Sequence, residues 1–220
     1  MIQGIIYDFD GVIADSEVLA NLVLAEAVSS LGLPTTLQQS FDRYMGKRSA
    51  EIVTAIEESL GRKISPTFTD DLRAVTLARF RSELREVSGA QDFILRYAHL
   101  PSCIASSSSM ERLSVSLEAV RLSEAFGNRV FSADLVPRGK PHPDIFLYAA
   151  DKIGLAPEYC LVVEDSPNGV RAGLAAGMCV VGLCAGAHIR PGHAERLREA
   201  GAKHVFDTWT EVGEFLAARL

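Results

Sequence analysis

Two aspartates separated by one residue close the first apolar run of the chain: Ile5-Ile6-Tyr7 is followed by Asp8-Phe9-Asp10-Gly11. Residues i and i+2 of a strand share a face, so Asp8 and Asp10 are expected on one side of a strand's C-terminal end. In an open α/β sheet, ligands bind at that edge. Neighbouring carboxylates repel, which favours a cation beside them. Three later apolar runs also end in polar groups. The run 102–106 ends in Ser106, the run from Cys160 leads into Glu164-Asp165, and the run 130–133 is followed by a loop that reaches Lys140. In a parallel sheet these ends lie on one edge. Carboxylates, a lysine and a hydroxyl gathered there suit Mg²⁺ and a phosphate. Hard cations take oxygen ligands. Lys140 would neutralise phosphate charge, and Ser106 with the next backbone N–H groups would bind its oxygens.

The elements that must position these groups follow from hydrophobic period. Apolar residues recur at three- and four-residue steps over 17–31, with Leu19, Val23, Ala27 and Leu31, and the pattern stops at Gly32 and Pro34. That predicts an amphipathic helix. Further helices are predicted over 50–60 and 66–85. No strand-like run occurs between about Asp15 and Val87, so residues 16–86 read as an inserted all-helical cap. Residues 1–15 and 87–220 then form the core. Beyond Ser88 short apolar runs alternate with helical segments, which predicts a Rossmann-like α/β core: a parallel sheet with helices on both faces. The two crossings between core and cap are expected to form a hinge.

Composition sets the outer bounds. The 220 residues carry a formal net charge of −6, which argues against a nucleic-acid partner. No apolar run approaches the roughly 20 residues needed to span a membrane, and Asp8 comes too early for a signal peptide. A cytoplasmic protein is expected. The four cysteines, Cys103, Cys160, Cys179 and Cys184, fit reduced thiols. Cys184, His188 and His193 lack the paired spacing of a zinc site.

DFDGVIADSE, the serine after the second apolar run, the lysine of GKPHPDIF and the acidic pair of VVEDSPNG resemble the four motifs of the haloacid dehalogenase superfamily. The insertion resembles the helical cap of its β-phosphoglucomutase and sugar-phosphate phosphatase branch. The resemblance covers essentially the whole chain. It implies that Asp8 is a nucleophile forming an aspartyl phosphate and that Asp10 is the general acid and base. It implies that Ser106 and Lys140 hold the phosphoryl group. Mg²⁺ would be ligated by Asp8, the backbone carbonyl of Asp10 and Asp165, with Glu164 helping.

Several positions stay open between two readings. Ser108 and Glu111 have capping-box spacing for the next helix, so Ser107 to Ser109 are divided between a structural role and phosphate contact; Ser107 is the substrate-binding candidate. Asp144 suits the start of a helix. Asn168 suits either a helix cap or the surroundings of the metal. In the cap, Lys47 and Arg48 of YMGKRSAE are candidates for the substrate's remaining groups, or solvated charges.

Asp10 and the acidic pair favour phosphoryl chemistry over dehalogenation, because dehalogenating relatives lack the second aspartate and need no metal. β-Phosphoglucomutase carries a histidine after the first motif where this chain has Ala20. The resulting expectation is a Mg²⁺-dependent phosphatase acting on a small phosphorylated metabolite, a sugar phosphate above all. A hexose-phosphate mutase is the alternative, and a non-catalytic phosphate-binding module stands behind both. Neither the substrate nor the oligomeric state is legible.

Overall fold

Six apolar runs become strands, and they form one parallel sheet. A computed structural model describes residues 1–220. In chain order the elements are β1 (Gly4–Tyr7), α1 (Ser16–Ser30), α2 (Leu37–Tyr44), α3 (Ser49–Leu60), α4 (Phe68–Glu83), α5 (Ala90–Arg96) and β2 (Ser102–Ser106). There follow α6 (Met110–Ala119), α7 (Ser123–Phe126), β3 (Val130–Ser132), α8 (Asp144–Lys152), β4 (Cys160–Glu164) and α9 (Pro167–Ala175). The chain closes with β5 (Cys179–Leu183), α10 (His193–Glu199), β6 (His204–Phe206) and α11 (Trp209–Ala217). The chain divides into two compact units, Met1–Asp15 with Arg85–Leu220, and Ser16–Leu84.

In the first unit the strand order is β3-β2-β1-β4-β5-β6, with every pairing parallel. The order runs outward in both directions from β1 and β4. That makes their shared C-terminal edge the switch point, where an open sheet leaves a crevice. Strands β1, β2 and β4 are buried at every residue, which is why they read as continuous apolar runs rather than alternating ones. Ile6, Cys103, Val162, Phe146, Val170 and Leu197 belong to one core cluster. The Tyr7 ring meets Phe93 and Phe126 edge-on, with centroids 6.3 and 5.7 Å away. Trp209 Nε1 donates to the Val12 carbonyl at 3.3 Å and so pins the turn that follows β1.

The chain leaves and re-enters this unit through paired segments. Asp15 N donates to Arg85 O at 3.0 Å and Val87 N to Ile13 O at 2.8 Å, around an antiparallel bridge between Ala14 and Glu86.

The second unit is all helix. Leu24, Val28, Tyr44 and Ile56 form its buried centre, with Leu31, Ile52, Leu60 and Leu72 against them. Helix α2 has no counterpart in the apolar periodicity, because its residues are mostly polar. It is set locally by a capping box in which Thr36 accepts from Gln39 N and the Gln39 side chain accepts from Thr36 N. Ser40 Oγ, buried, donates to Asn21 Oδ1 at 3.0 Å and ties α2 to α1.

Candidate active site

Strand β1 ends at Tyr7, so Asp8 is the first residue beyond it. Its N–H still donates to Val163 O at 3.0 Å, which holds it in line with β4. The chain then turns sharply: Ile13 N and Ala14 N donate to Phe9 O at 2.9 and 3.1 Å, and Gly11 N to Ala14 O at 2.8 Å. Gly11 has φ +78°, and a Cβ there would run into the Asp165 carboxylate; no other residue suits this corner. Both aspartates lie beyond the end of β1, in this turn and not within the strand, and their carboxylates have different partners. Asp10 turns to the loop after β2, where its Oδ2 accepts from Ser108 Oγ at 2.6 Å and its Oδ1 from Arg112 Nη2 at 2.8 Å.

Lys140 is brought to Asp8 by the long loop after β3. Its Nζ donates to Asp8 Oδ1 at 2.7 Å, Glu164 Oε1 at 2.6 Å and the Ala105 carbonyl at 3.0 Å. All three ammonium donors are therefore used. Burial alone would lower the Lys140 pKa, but Asp8 and Glu164 outweigh it and hold the ammonium above the usual lysine range. Glu164 has no solvent exposure. Its Oε2 accepts from both Ser166 N and Ser166 Oγ at 2.9 Å. Ser166 in turn caps α9, accepting from Gly169 N at 3.0 Å. A Cβ on Gly169 would collide with the Glu164 carboxylate, so the helix start and the carboxylate share one space.

Asp8, Glu164 and Asp165 are all buried, and one carboxylate oxygen of each lies within 4.8 Å of the others. Burial pushes the Asp8 carboxyl well above its usual range; Lys140 opposes this, while Glu164, Asp165 and Asp10 add to it. One lysine does not balance this much buried negative charge. The donor set is all oxygen, which fits a hard divalent cation such as Mg²⁺.

The serines after β2 divide their tasks. Ser106, buried at the strand end, accepts from Ser108 N at 3.1 Å and stands 3.5 Å from Asp10 Oδ2. Ser107 is exposed at the loop's tip. The cap of α6 is Ser109, whose Oγ accepts from Arg112 N at 3.4 Å. The Ser108–Glu111 box does not form, because the helix starts one residue later than that spacing requires; Ser108 holds Asp10 instead. Arg112 is absent from the sequence reading, since one arginine in the first turns of an amphipathic helix looks like solvated charge.

Of the other expected positions, Asp144 opens α8 and takes both Arg138 Nε and Nη2, at 3.1 and 2.9 Å. Asn168 is exposed and accepts from Arg171 at 3.2 Å. In the helical unit Lys47 and Arg48 are both exposed, and Arg48 pairs with Glu51 at 2.9 Å. His188 and His193 meet Asp165 rather than Cys184: His188 Nε2 lies 3.0 Å from Asp165 Oδ2 and His193 Nε2 2.6 Å from the Asp165 carbonyl. All four cysteines are free thiols.

This arrangement has relatives. The family model for "haloacid dehalogenase-like hydrolase" matches residues 5–183. The 6-phosphogluconate phosphatase of Escherichia coli (strain K12) is 28% identical over 191 residues, covering 86% of each chain. The phosphorylated carbohydrates phosphatase of Thermotoga maritima is 28% identical over 179 residues, covering 80% of this chain and 82% of its own. A crystal structure of a HAD family hydrolase from Deinococcus radiodurans R1, with bound phosphate and sodium, superposes with a TM-score of 0.85 at 31% identity. It covers 99% of this chain and 96% of its own. With the match running from β1 to the end of β5, the chain belongs to the haloacid dehalogenase-like hydrolases.

Proposed function

We propose that this chain is a phosphomonoesterase that hydrolyses a small phosphorylated metabolite, a sugar phosphate or close relative, through an aspartyl phosphate on Asp8. The observation that carries this reading is the placement of Asp8: buried at the switch point, 2.7 Å from Lys140 and within the acidic trio. The phosphatase names of the Escherichia coli and Thermotoga maritima relatives support it.

Phosphoryl transfer needs positioning and charge neutralisation more than covalent help from many groups. Asp8, Asp165 and the backbone carbonyl of Asp10 would hold Mg²⁺, with Glu164 beside them, and the ion would supply charge neutralisation at the phosphoryl oxygens. Lys140 adds a fixed ammonium. Ser106 and the N–H groups of its loop orient the phosphoryl oxygens. An Asp8 oxygen forms a bond to phosphorus as the bond from phosphorus to the substrate alcohol breaks, and Asp10 gives that alcohol its proton. Water then attacks the same phosphorus while Asp10 takes a proton from it. The acyl phosphate bond breaks, returning the Asp8 carboxylate and inorganic phosphate. The Arg112 and Ser108 bonds hold the Asp10 carboxyl in place for both proton transfers.

In this reading the helical unit is the cap, and Lys47, Arg48 and Ser107 are candidates for the substrate's remaining hydroxyl or anionic groups. The test is a panel of phosphorylated metabolites assayed for phosphate release by wild type and Asp8→Asn across Mg²⁺ concentrations, with a sugar-phosphate mutase assay alongside. Metal-dependent release by wild type alone is expected. Equal rates in both proteins, or none at any Mg²⁺ concentration, would sink the reading. Bisphosphate-stimulated isomerisation without net release would replace it with a mutase.

A further inference from the structure

We propose that His188 is a positioning residue for the metal-binding carboxylate of Asp165, and that the loop after β5 serves to hold it there. This rests on reading Asp8, Glu164 and Asp165 as a Mg²⁺ site. His188 Nε2 lies 3.0 Å from Asp165 Oδ2, with side-chain exposures of only 5% and 7%. A carboxylate accepts and does not donate when ionised, so Nε2 carries the hydrogen. One oxygen of Asp165 is thereby fixed in direction before any cation arrives.

The backbone of the same residue is gripped independently. His193 Nε2 lies 2.6 Å from the Asp165 carbonyl, and Arg196 Nη2 lies 2.8 Å from His193 Nδ1. A guanidinium only donates, so Nδ1 accepts and Nε2–H faces the carbonyl. Two imidazoles, 6.0 Å apart and nearly perpendicular, thus hold both ends of Asp165.

The loop that carries His188 is itself tied to the first motif. Ala187 N donates to Asp15 Oδ1 at 2.7 Å. The His188 ring lies against Gly11, whose added Cβ would stand 2.5 Å from His188 Cε1. The ring is therefore wedged between the turn after Asp10 and the Asp165 carboxylate. Burying a histidine costs free energy unless its polar atoms are used, and here the Nε2 atoms of both rings are used on one residue. Partners of this kind, placed behind a metal ligand, typically change metal affinity about 10–100-fold.

The test titrates Mg²⁺ alone into the full chain by calorimetry, with the Mg²⁺-induced rise in melting temperature as a second readout. His188→Leu fills the space without a donor, and His188→Gln carries an N–H at similar reach. His188→Leu is expected to weaken Mg²⁺ binding about 10–100-fold, and His188→Gln to recover most of it. In turnover the Mg²⁺ concentration for half-maximal rate should rise while kcat at saturating Mg²⁺ stays near wild type. Where leucine disrupts folding, His188→Asn, whose amide stops short of Asp165, replaces it and should bind Mg²⁺ more weakly than His188→Gln. Equal Mg²⁺ affinity in wild type and the donor-less variant overturns the proposal and leaves the metal reading standing. A wild-type chain that takes up no Mg²⁺ overturns the metal reading and this inference with it.

Discussion

Lys140 Nζ lies 2.6 Å from Glu164 Oε1, and their side chains are 5% and 0% exposed. Because the other Glu164 oxygen is bound by Ser166, Glu164 acts as a fixed post that holds the ammonium over Asp8. One positive charge is shared between two carboxylates. Neither carboxylate is paired one-to-one.

Removing that charge should be costly. Lys140→Ala leaves Asp8 and Glu164 buried without their cation, and breaking a buried pair in this way costs about 3–5 kcal/mol. Urea unfolding in the absence of metal measures the loss. Phosphatase activity should vanish as well. An unchanged unfolding midpoint would show that the ion pair is not formed in solution.

Asp8 gives a pH-dependent stability with a definite sign. Burial, assisted by Glu164, Asp165 and Asp10, raises its pKa in the folded chain above the ordinary 3.8, with Lys140 opposing. A raised carboxyl contributes stability below the unfolded pKa and loses it as pH rises through the folded value. Metal-free wild type should therefore lose stability relative to Asp8→Asn as pH climbs from about 4 towards neutrality. Melting temperatures of the two proteins across that range, with chelator present, check this. A gap that narrows with pH contradicts it. On the proposed metal reading, Mg²⁺ should reverse the trend for wild type, because a bound cation favours the ionised carboxylate.

Asp10 should matter more to some substrates than to others. Asp10→Asn is expected to slow hydrolysis of an alkyl phosphate by about 10²–10⁴-fold, the usual value of a general acid–base. An aryl phosphate has a leaving group that departs without a proton, so only the water step should suffer. Rapid mixing should show a burst of phenolate, about one per chain, followed by slow turnover. A steady slow release with no burst would assign Asp10 another role. Arg112→Ala should reduce kcat less than Asp10→Asn does, because it loosens Asp10 without removing it.

Gly169→Ala tests the shared space at the start of α9. Replacing a helical glycine by alanine ordinarily stabilises by about 1 kcal/mol. Here the new methyl meets the Glu164 carboxylate, so the sign should invert. The variant should melt lower than wild type and lose activity as Glu164 and Lys140 are displaced. A higher melting temperature with full activity would mean that Glu164 is free to move.

Asp8, Ser106, Lys140, Glu164 and Asp165 are legible in the sequence because each follows or ends an apolar run, and a parallel sheet sends those ends to one edge. Arg112 and His188 are not. Arg112 reaches Asp10 only through the phase of α6, which begins after Ser109 rather than Ser108. His188 reaches Asp165 only through the path of an irregular loop, and no period encodes that. The different partners of Asp8 and Asp10 are likewise hidden, since they depend on the turn that follows Tyr7. Helix α2 is missed for a different reason: its signal is the Thr36–Gln39 capping pair rather than an apolar face.

The paired crossings at Ile13–Asp15 and Arg85–Val87 have a consequence for how such a chain can change. Their hydrogen bonds belong wholly to the α/β unit, so the two ends of the insertion are held at neighbouring-strand spacing whatever lies between them. The entropy of closing the inserted segment grows only slowly with its length. Asp15 and Arg85 therefore form a splice point: a shorter, longer or unrelated helical segment can be exchanged there without moving β1 or Asp8. If the helical unit acts as the proposed cap, chemistry and much of substrate choice become separable traits, written in different stretches of one chain and free to vary one at a time.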